Sequence, residues 1–305
     1  MVRARAKAFA CILAAFFATW VVAQTPIEEG FVSVGDDVRL FYVKYGSGAP
    51  DLIVSNHLYA ARPLATLAEG RTVVFYDTRG RGFSTPIHDA ALLGMEHEIA
   101  DFGRVQDHFG VERVSVLGWS LWGAFAQRYA VRNPDRVASV IALSPIEPAA
   151  EPFGAMEMLS PGPDFDAVEA YLASTAEDID PFDLCVGIAD IINASQVADD
   201  SVLDVLNAKA CALPNEYDAN IEFTLGTIFG SMGDWDWLEE FRAIDVPLLI
   251  VHGDQDTIVP EGIAANAEAA QNARVVEVAQ AGHMGFIERP AAYADAIDAF
   301  LDELP

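Results

Sequence analysis

RVSVLGWSLWG, residues 113–123, decides how the rest of the chain is read. Its first half, Arg113 to Leu117, is a short apolar run rich in β-branched residues, the composition of a buried strand. Its second half opens a helix-forming stretch that continues from Leu121 to Arg132. Ser120 falls on the turn between them. A serine on such a sharp strand-to-helix turn is held above the sheet edge, and the N–H of the next residue, Leu121, is then free to bind an oxyanion.

Outward from this turn the same rhythm repeats. Phe31 to Gly46 alternates apolar and polar residues around a Gly35-Asp36-Asp37 turn, as an antiparallel hairpin does. Asp51 to Ser55 and Arg71 to Asp77 are apolar strand-like runs, and His88 to Phe109 has a helical pattern ending at Gly110. Val137 to Leu143 is a further strand. From Glu147 to about Arg242 the chain turns acidic and helical, without a clear strand. The rhythm then resumes with strands at Pro247 to His252 and Ala273 to Val278, and helices from about Pro260 and from Pro290. Continuous apolar runs separated by helices predict an α/β fold with a mostly parallel central sheet covered by helices on both faces. The expected organisation is a leader over 1–23, a core over 24–146 and 243–305, and a helical cap inserted at 147–242.

Four segments carry a resemblance. Gly118-Trp119-Ser120-Leu121-Trp122 is similar to the G-x-S-x-G elbow of the α/β-hydrolase superfamily. Asp77 to Ser84 resembles its D-x-R-G-x-G-x-S stretch, and His252 to Asp256 its H-G-x-x-D. His283 follows the last strand, where the superfamily places its histidine. The order Ser, Asp, His is the one this fold uses. The resemblance spans nearly all of the chain after the leader and implies roles by position. Ser120 is the expected nucleophile and His283 the general base that takes its proton and returns it to the leaving group. Asp256, favoured over Asp254 by the superfamily's spacing, orients the imidazole and stabilises the imidazolium. The oxyanion would meet the backbone N–H groups of Leu121 and Leu58. His57, Tyr59, Trp119 and Trp122 are the pocket candidates.

Two positions depart from the pattern. Trp122 stands where the elbow ordinarily has Gly, and is expected to point outward or to force the turn open, towards the pocket. The first core strand ends in Asn56-His57 where many relatives have His-Gly, so a side chain at His57 narrows the oxyanion loop. The implied activity is hydrolysis of a small carboxylic ester or lactone through an acyl-enzyme. Strand ends at Ser55-Asn56 and the YDTRG run resemble enol-lactone hydrolases and related small esterases. The layout is also similar to prolyl aminopeptidases, with Glu216, Asp218 and Glu222 as acidic candidates for a substrate amine. A weakly catalytic, ligand-binding member is the third reading. Haloalkane and epoxide relatives place Asp where this chain has Ser120.

Composition sets the surroundings. At 52% hydrophobic and 21% charged, the 305 residues hold ample material for a buried core. Arg3, Arg5 and Lys7 precede an apolar run from Ala8 to Val22, closed by Val21-Val22-Ala23. This reads as a signal peptide cleaved after Ala23, against the alternative of an uncleaved anchor, which needs about 20 apolar residues. The expectation is an exported protein, periplasmic or secreted, with no stable membrane association once the leader is gone. Losing those three cations takes the net charge from −28 to −31, a surface that repels nucleic acid and anionic membranes. A small-molecule substrate is the expected partner. Cys185 and Cys211 remain as an even pair, either a disulfide or two separate thiols. No cofactor motif is present and no metal site is expected. His97 to Asp101 begins like a zinc-binding helix but offers Asp where the second His belongs, and reads as the exposed face of a helix. His252 reads as structural, and His88, His97 and His108 as surface residues.

Overall fold

The computed structural model describes residues 25–150, 164–176, 178–213, 219–270 and 272–304. The expected leader, Glu216 and Asp218 lie outside the described residues, as does the side chain of Glu222.

The chain opens with the antiparallel strands β1 (Glu28–Gly35) and β2 (Val38–Tyr45), joined through Asp36 and Asp37, both at positive φ. Next come β3 (Leu52–Ser55), the single-turn helix α1 (His57–Ala60), β4 (Val73–Tyr76) and α2 (Met95–His108). The elbow follows as β5 (Val114–Trp119), Ser120 and α3 (Leu121–Arg132), and then β6 (Val137–Leu143). Between β6 and β7 every described regular element is a helix. These are α4 (Phe165–Ser174), α5 (Pro181–Ala194), α6 (Leu203–Cys211), α7 (Ala219–Met232) and α8 (Leu238–Phe241). The chain ends with β7 (Leu248–Gly253), α9 (Pro260–Ala269), β8 (Ala273–Val278), α10 (Gly285–Glu288) and α11 (Pro290–Asp302).

The eight strands form one sheet in the order β1-β2-β4-β3-β5-β6-β7-β8. β2 runs antiparallel to both of its neighbours, and from β4 to β8 every pair is parallel. This is the mostly parallel sheet that the apolar runs predict. β3, β4, β5 and β7 are buried along their whole length, because helices cover both faces. The core accordingly splits into two clusters. Phe102, Phe125, Ile250 and Trp237 fill one face, and Leu52, Phe75, Leu143 and Phe286 the other.

Three expectations are corrected. The helix read from His88 begins only at Met95. Asp89 caps a separate 3-10 turn at Ala90–Leu92, and Gly94 at φ 121° separates the two. α1, which is too short to carry a periodicity, was not expected. The face holding Glu98 and Asp101 is buried rather than exposed, at 1% and 0%. Asp101 accepts two hydrogen bonds from Arg79, at 2.6 and 3.0 Å, and one from Arg104 at 2.8 Å. These pairings are what make a buried carboxylate tolerable.

The two ends of the helical segment between β6 and β7 are held together. Trp235 Nε1 donates to Glu147 O at 3.1 Å, Ala150 N to Trp235 O at 2.8 Å and Trp237 N to Pro148 O at 2.7 Å. The chain therefore leaves and re-enters the sheet side by side. Within this helical segment, Cys185 on α5 and Cys211 on α6 form a disulfide. No described helix is long and apolar enough to cross a membrane.

Candidate active site

Parallel pairing brings the C-terminal ends of β3, β5, β6 and β7 to one edge of the sheet, and the loops leaving that edge carry the site. Trp119 pairs with Leu143, and Ser120 N donates to Leu143 O at 2.8 Å, so β6 fixes where the strand stops. Ser120 then adopts φ 54° and ψ −123°, a backbone state that persists only where the surroundings over-determine it. The turn is so tight that a Cβ on Gly118 would lie 2.1 Å from the Trp122 carbonyl oxygen, which explains the glycine.

His283 is held from both sides. Its carbonyl oxygen accepts from Trp119 Nε1 at 2.9 Å, and the Trp119 ring lies 5.2 Å from the imidazole. Ser120 Oγ stands 3.0 Å from His283 Nε2, and His283 Nδ1 stands 2.8 Å from Asp256 Oδ1. An ionised carboxylate only accepts, so Nδ1–H donates to Asp256, and Nε2 is left to accept from the Ser120 hydroxyl. The His283 and Asp256 side chains are 4% and 2% exposed. Burial pushes the Asp256 carboxyl up, but attraction to His283, its hydrogen bond, the nearby Ser144 hydroxyl and the Ile258 amide together hold it below its ordinary value. Asp254, the competing acid, is exposed and accepts from Ala281 N at 3.3 Å instead.

The oxyanion side corrects one expectation. Leu58 N is not free, because it donates to Asp77 Oδ1 at 2.9 Å. Asp77 also accepts from Phe83 N at 3.0 Å and lies 3.3 Å from His57 Nδ1. The amides of Leu121, at the start of α3, and of His57, at the start of α1, have no acceptor among the described residues. His57 does not intrude on the loop as expected. Its ring turns to Asp77 and packs edge-on against Phe41 at 5.2 Å.

Trp122 is the second correction. It neither points outward nor opens the turn. The side chain is 4% exposed, packs in the core, and donates through Nε1 to Glu98 Oε2 at 2.9 Å. Burial first, and Asp101 beside it, push the Glu98 carboxyl up to about 8, against the pull of the Trp122 bond and of Arg79 and Arg81. Tyr59 and Trp119 are also buried and meet edge to face at 5.5 Å, forming a wall behind the site.

Two groups have no signal in the sequence. Glu288 accepts from Gly282 N, Ala198 N and Asp199 N at 2.7 to 2.8 Å, tying the histidine loop to the segment between α5 and α6. Glu147 is fully buried near Asp256 and His283. Two of the three amides on Glu288 are about 90 residues away, and Glu147 is buried beside segments distant in the chain, so no local motif marks either. His252 is buried, with Nδ1 3.0 Å from Gly253 O. Among the described residues no cluster of three or more His, Cys, Asp or Glu is arranged to hold a metal.

A family profile described as alpha/beta hydrolase fold matches residues 48–290. A non-heme haloperoxidase of Rhodococcus erythropolis is 27% identical over 259 residues, covering 80% of this chain and 89% of its own. A bifunctional esterase/perhydrolase of Acinetobacter calcoaceticus is 27% identical over 271 residues, covering 81% and 90%. Among solved structures, the enol-lactonase of Burkholderia xenovorans LB400 superposes with a TM-score of 0.70 at 21% identity, over 90% of this chain and all of that one. At that identity the likeness speaks for the fold.

Proposed function

The chain belongs to the alpha/beta hydrolase fold family, and from that premise we propose that it is a serine hydrolase cleaving a small carboxylic ester or lactone through an acyl-enzyme. The observation that carries the reading is the run of hydrogen bonds from Ser120 Oγ to His283 Nε2 and from His283 Nδ1 to Asp256 Oδ1. A serine hydroxyl is a weak nucleophile unless an adjacent base takes its proton. In this reading Ser120 Oγ attacks the carbonyl carbon as its proton passes to His283. The positive charge on the imidazolium is offset by Asp256. The carbonyl oxygen, now negative, is received by the amides of Leu121 and His57, with the positive end of α3 behind the first. Collapse of the intermediate expels an alcohol protonated by His283, and water then repeats the sequence to free the acid.

A bifunctional esterase/perhydrolase among the similar proteins supports an ester or lactone, while a proline iminopeptidase of Saccharolobus solfataricus, 24% identical over 323 residues, keeps an amide as the second reading. The tight Trp122–Glu98 contact also counts against a distorted elbow, and so against a weakly catalytic member. We further propose export by a leader over residues 1–23. The Cys185–Cys211 disulfide supports an oxidising compartment.

The test is a panel of p-nitrophenyl esters, lactones and proline anilides, run with the chain from Gln24 onward beside Ser120→Ala. Ester or lactone turnover lost in the variant is the expected result. Faster cleavage of proline anilides would replace the esterase reading with an aminopeptidase. Turnover surviving in Ser120→Ala would sink the mechanism.

A further inference from the structure

Glu147 lies four residues beyond the end of β6, at the foot of the cap, and has no solvent exposure. Apart from the residue's own amide, neither carboxyl oxygen has a hydrogen-bond partner among the described residues. The backbone around it is fixed. Ile146 N donates to Ser120 O at 3.4 Å, and Trp235 Nε1 donates to Glu147 O at 3.1 Å. Space for the carboxyl is made by Gly262 in the first turn of α9. A Cβ there would lie 2.5 Å from Glu147 Cγ and 2.7 Å from Oε1. A fully buried position and a helix glycine are thus given to a carboxyl that, among the described residues, bonds only to its own amide.

The groups facing this carboxyl are few. The acid loop presents Asp256 and the histidine loop presents His283, and these are the two side chains whose charge it feels. On α9 the facing residue is Gly262, while Glu261 is exposed. In the returning cap segment Trp235 is buried, with Asp234 and Asp236 turned to solvent. Asp254 is exposed, and Tyr293 of α11 feels the charge of Asp256.

A carboxylate buried without partners is costly, so the group is held neutral until the pH is high enough to force ionisation. Burial, and then the adjacent Asp256, push it up to about 7, while its own amide and His283 pull the other way. We propose that Glu147 is a positioning residue of the Ser120–His283–Asp256 site, a second buried carboxyl whose charge tunes how strongly His283 acts as a base. Once ionised, it adds a negative charge beside the imidazolium that forms during attack. His283 then holds a proton more readily, and the step that charges it is easier. While Glu147 is neutral, Asp256 acts alone. The pH response of the site is therefore that of a coupled pair rather than of one histidine.

The inference rests on the serine-hydrolase reading, and two arms separate their failures. Glu147→Gln keeps the shape and removes the charge. With the ester found to be turned over, the variant should keep KM, lose about three- to tenfold in kcat above pH 7, and move the acid limb of kcat to lower pH by up to about one unit. Glu147→Gln with wild-type kcat and an unmoved limb overturns the proposal. The second arm needs neither turnover nor any change at Glu147. It follows the ring protons of His283 in the wild-type protein by NMR between pH 5 and 9, assigned by their loss in His283→Gln. A second inflection near neutrality, distinct from the ring's own titration, is expected. A single inflection overturns the coupling. Absent turnover with two inflections would count against the hydrolase reading and leave the coupling standing.

Discussion

Ser120 holds φ 54°, a backbone state that costs an L-residue about 1–3 kcal/mol. The surrounding turn pins it, through the bond to Leu143 and the close approach of Gly118 to Trp122. Replacing Ser120 by Ala leaves those contacts in place. Turnover should fall by at least about 10⁴-fold, with a melting temperature within a degree or two of wild type. Trp122 behaves differently, because its N–H is the partner of a buried carboxyl. Trp122→Phe leaves Glu98 Oε2 without a donor and should cost about 1–3 kcal/mol in urea unfolding. The same change paired with Glu98→Leu should recover part of that loss. Ser120, Asp256 and His283 were legible as a set because each sits in a short motif whose neighbours dictate the turn. The fate of Leu58 N was not legible, since it is decided by Asp77, nineteen residues away on another strand end. Trp122 misled for a similar reason. The residue that accepts its N–H is on α2, and nothing near position 122 announces it.

Strands and helices were read closely where burial alone decides them. The stretches Leu121 to Arg132 and Val137 to Leu143 coincide with α3 and β6, because both are buried over nearly their whole length and Ser139 is the one polar residue in the strand. The start of α2 was misplaced because apolar spacing persists through the 3-10 turn before Gly94. In the acidic insertion only helicity was legible. The contacts that root it, between residues 147–150 and 235–237, join segments far apart in the chain. The Cys185–Cys211 bond closes a loop of 26 residues between α5 and α6, which corresponds to about 3–4 kcal/mol in the chain-entropy account. Cys185→Ser with Cys211→Ser should accordingly unfold at lower denaturant. Limited proteolysis should then cut first within α5 or α6. An unchanged midpoint and cleavage pattern would show that the bond contributes nothing to the helical segment between β6 and β7.

Across the whole molecule, charge and burial together set a stability that falls as the solution turns basic. Glu98 is raised from 4.5 to about 8 and Glu147 from 4.5 to about 7. A carboxyl raised in the folded state contributes stability that is full below its unfolded value and is lost as pH rises through the folded one. Both contributions therefore fade between about pH 4.5 and 8. Asp256 is shifted the other way, so its contribution is present above 3.8 and is lost only on further acidification. A net charge of −28 adds self-repulsion at the basic end. Melting temperature should thus be higher at pH 5.5 than at pH 8, and Glu98→Gln should flatten that slope. A melting temperature that rises from pH 5.5 to 8 would contradict the buried-acid account. The central claim concerns Ser120, and the most direct measurement is intact-protein mass spectrometry after brief exposure to a fluorophosphonate, with peptide mapping of the product. One added phosphonyl group, located on Ser120 and absent in both Ser120→Ala and His283→Gln, is the result the site geometry requires. A folded wild-type protein that stays unmodified, or carries the label on another residue, would contradict it.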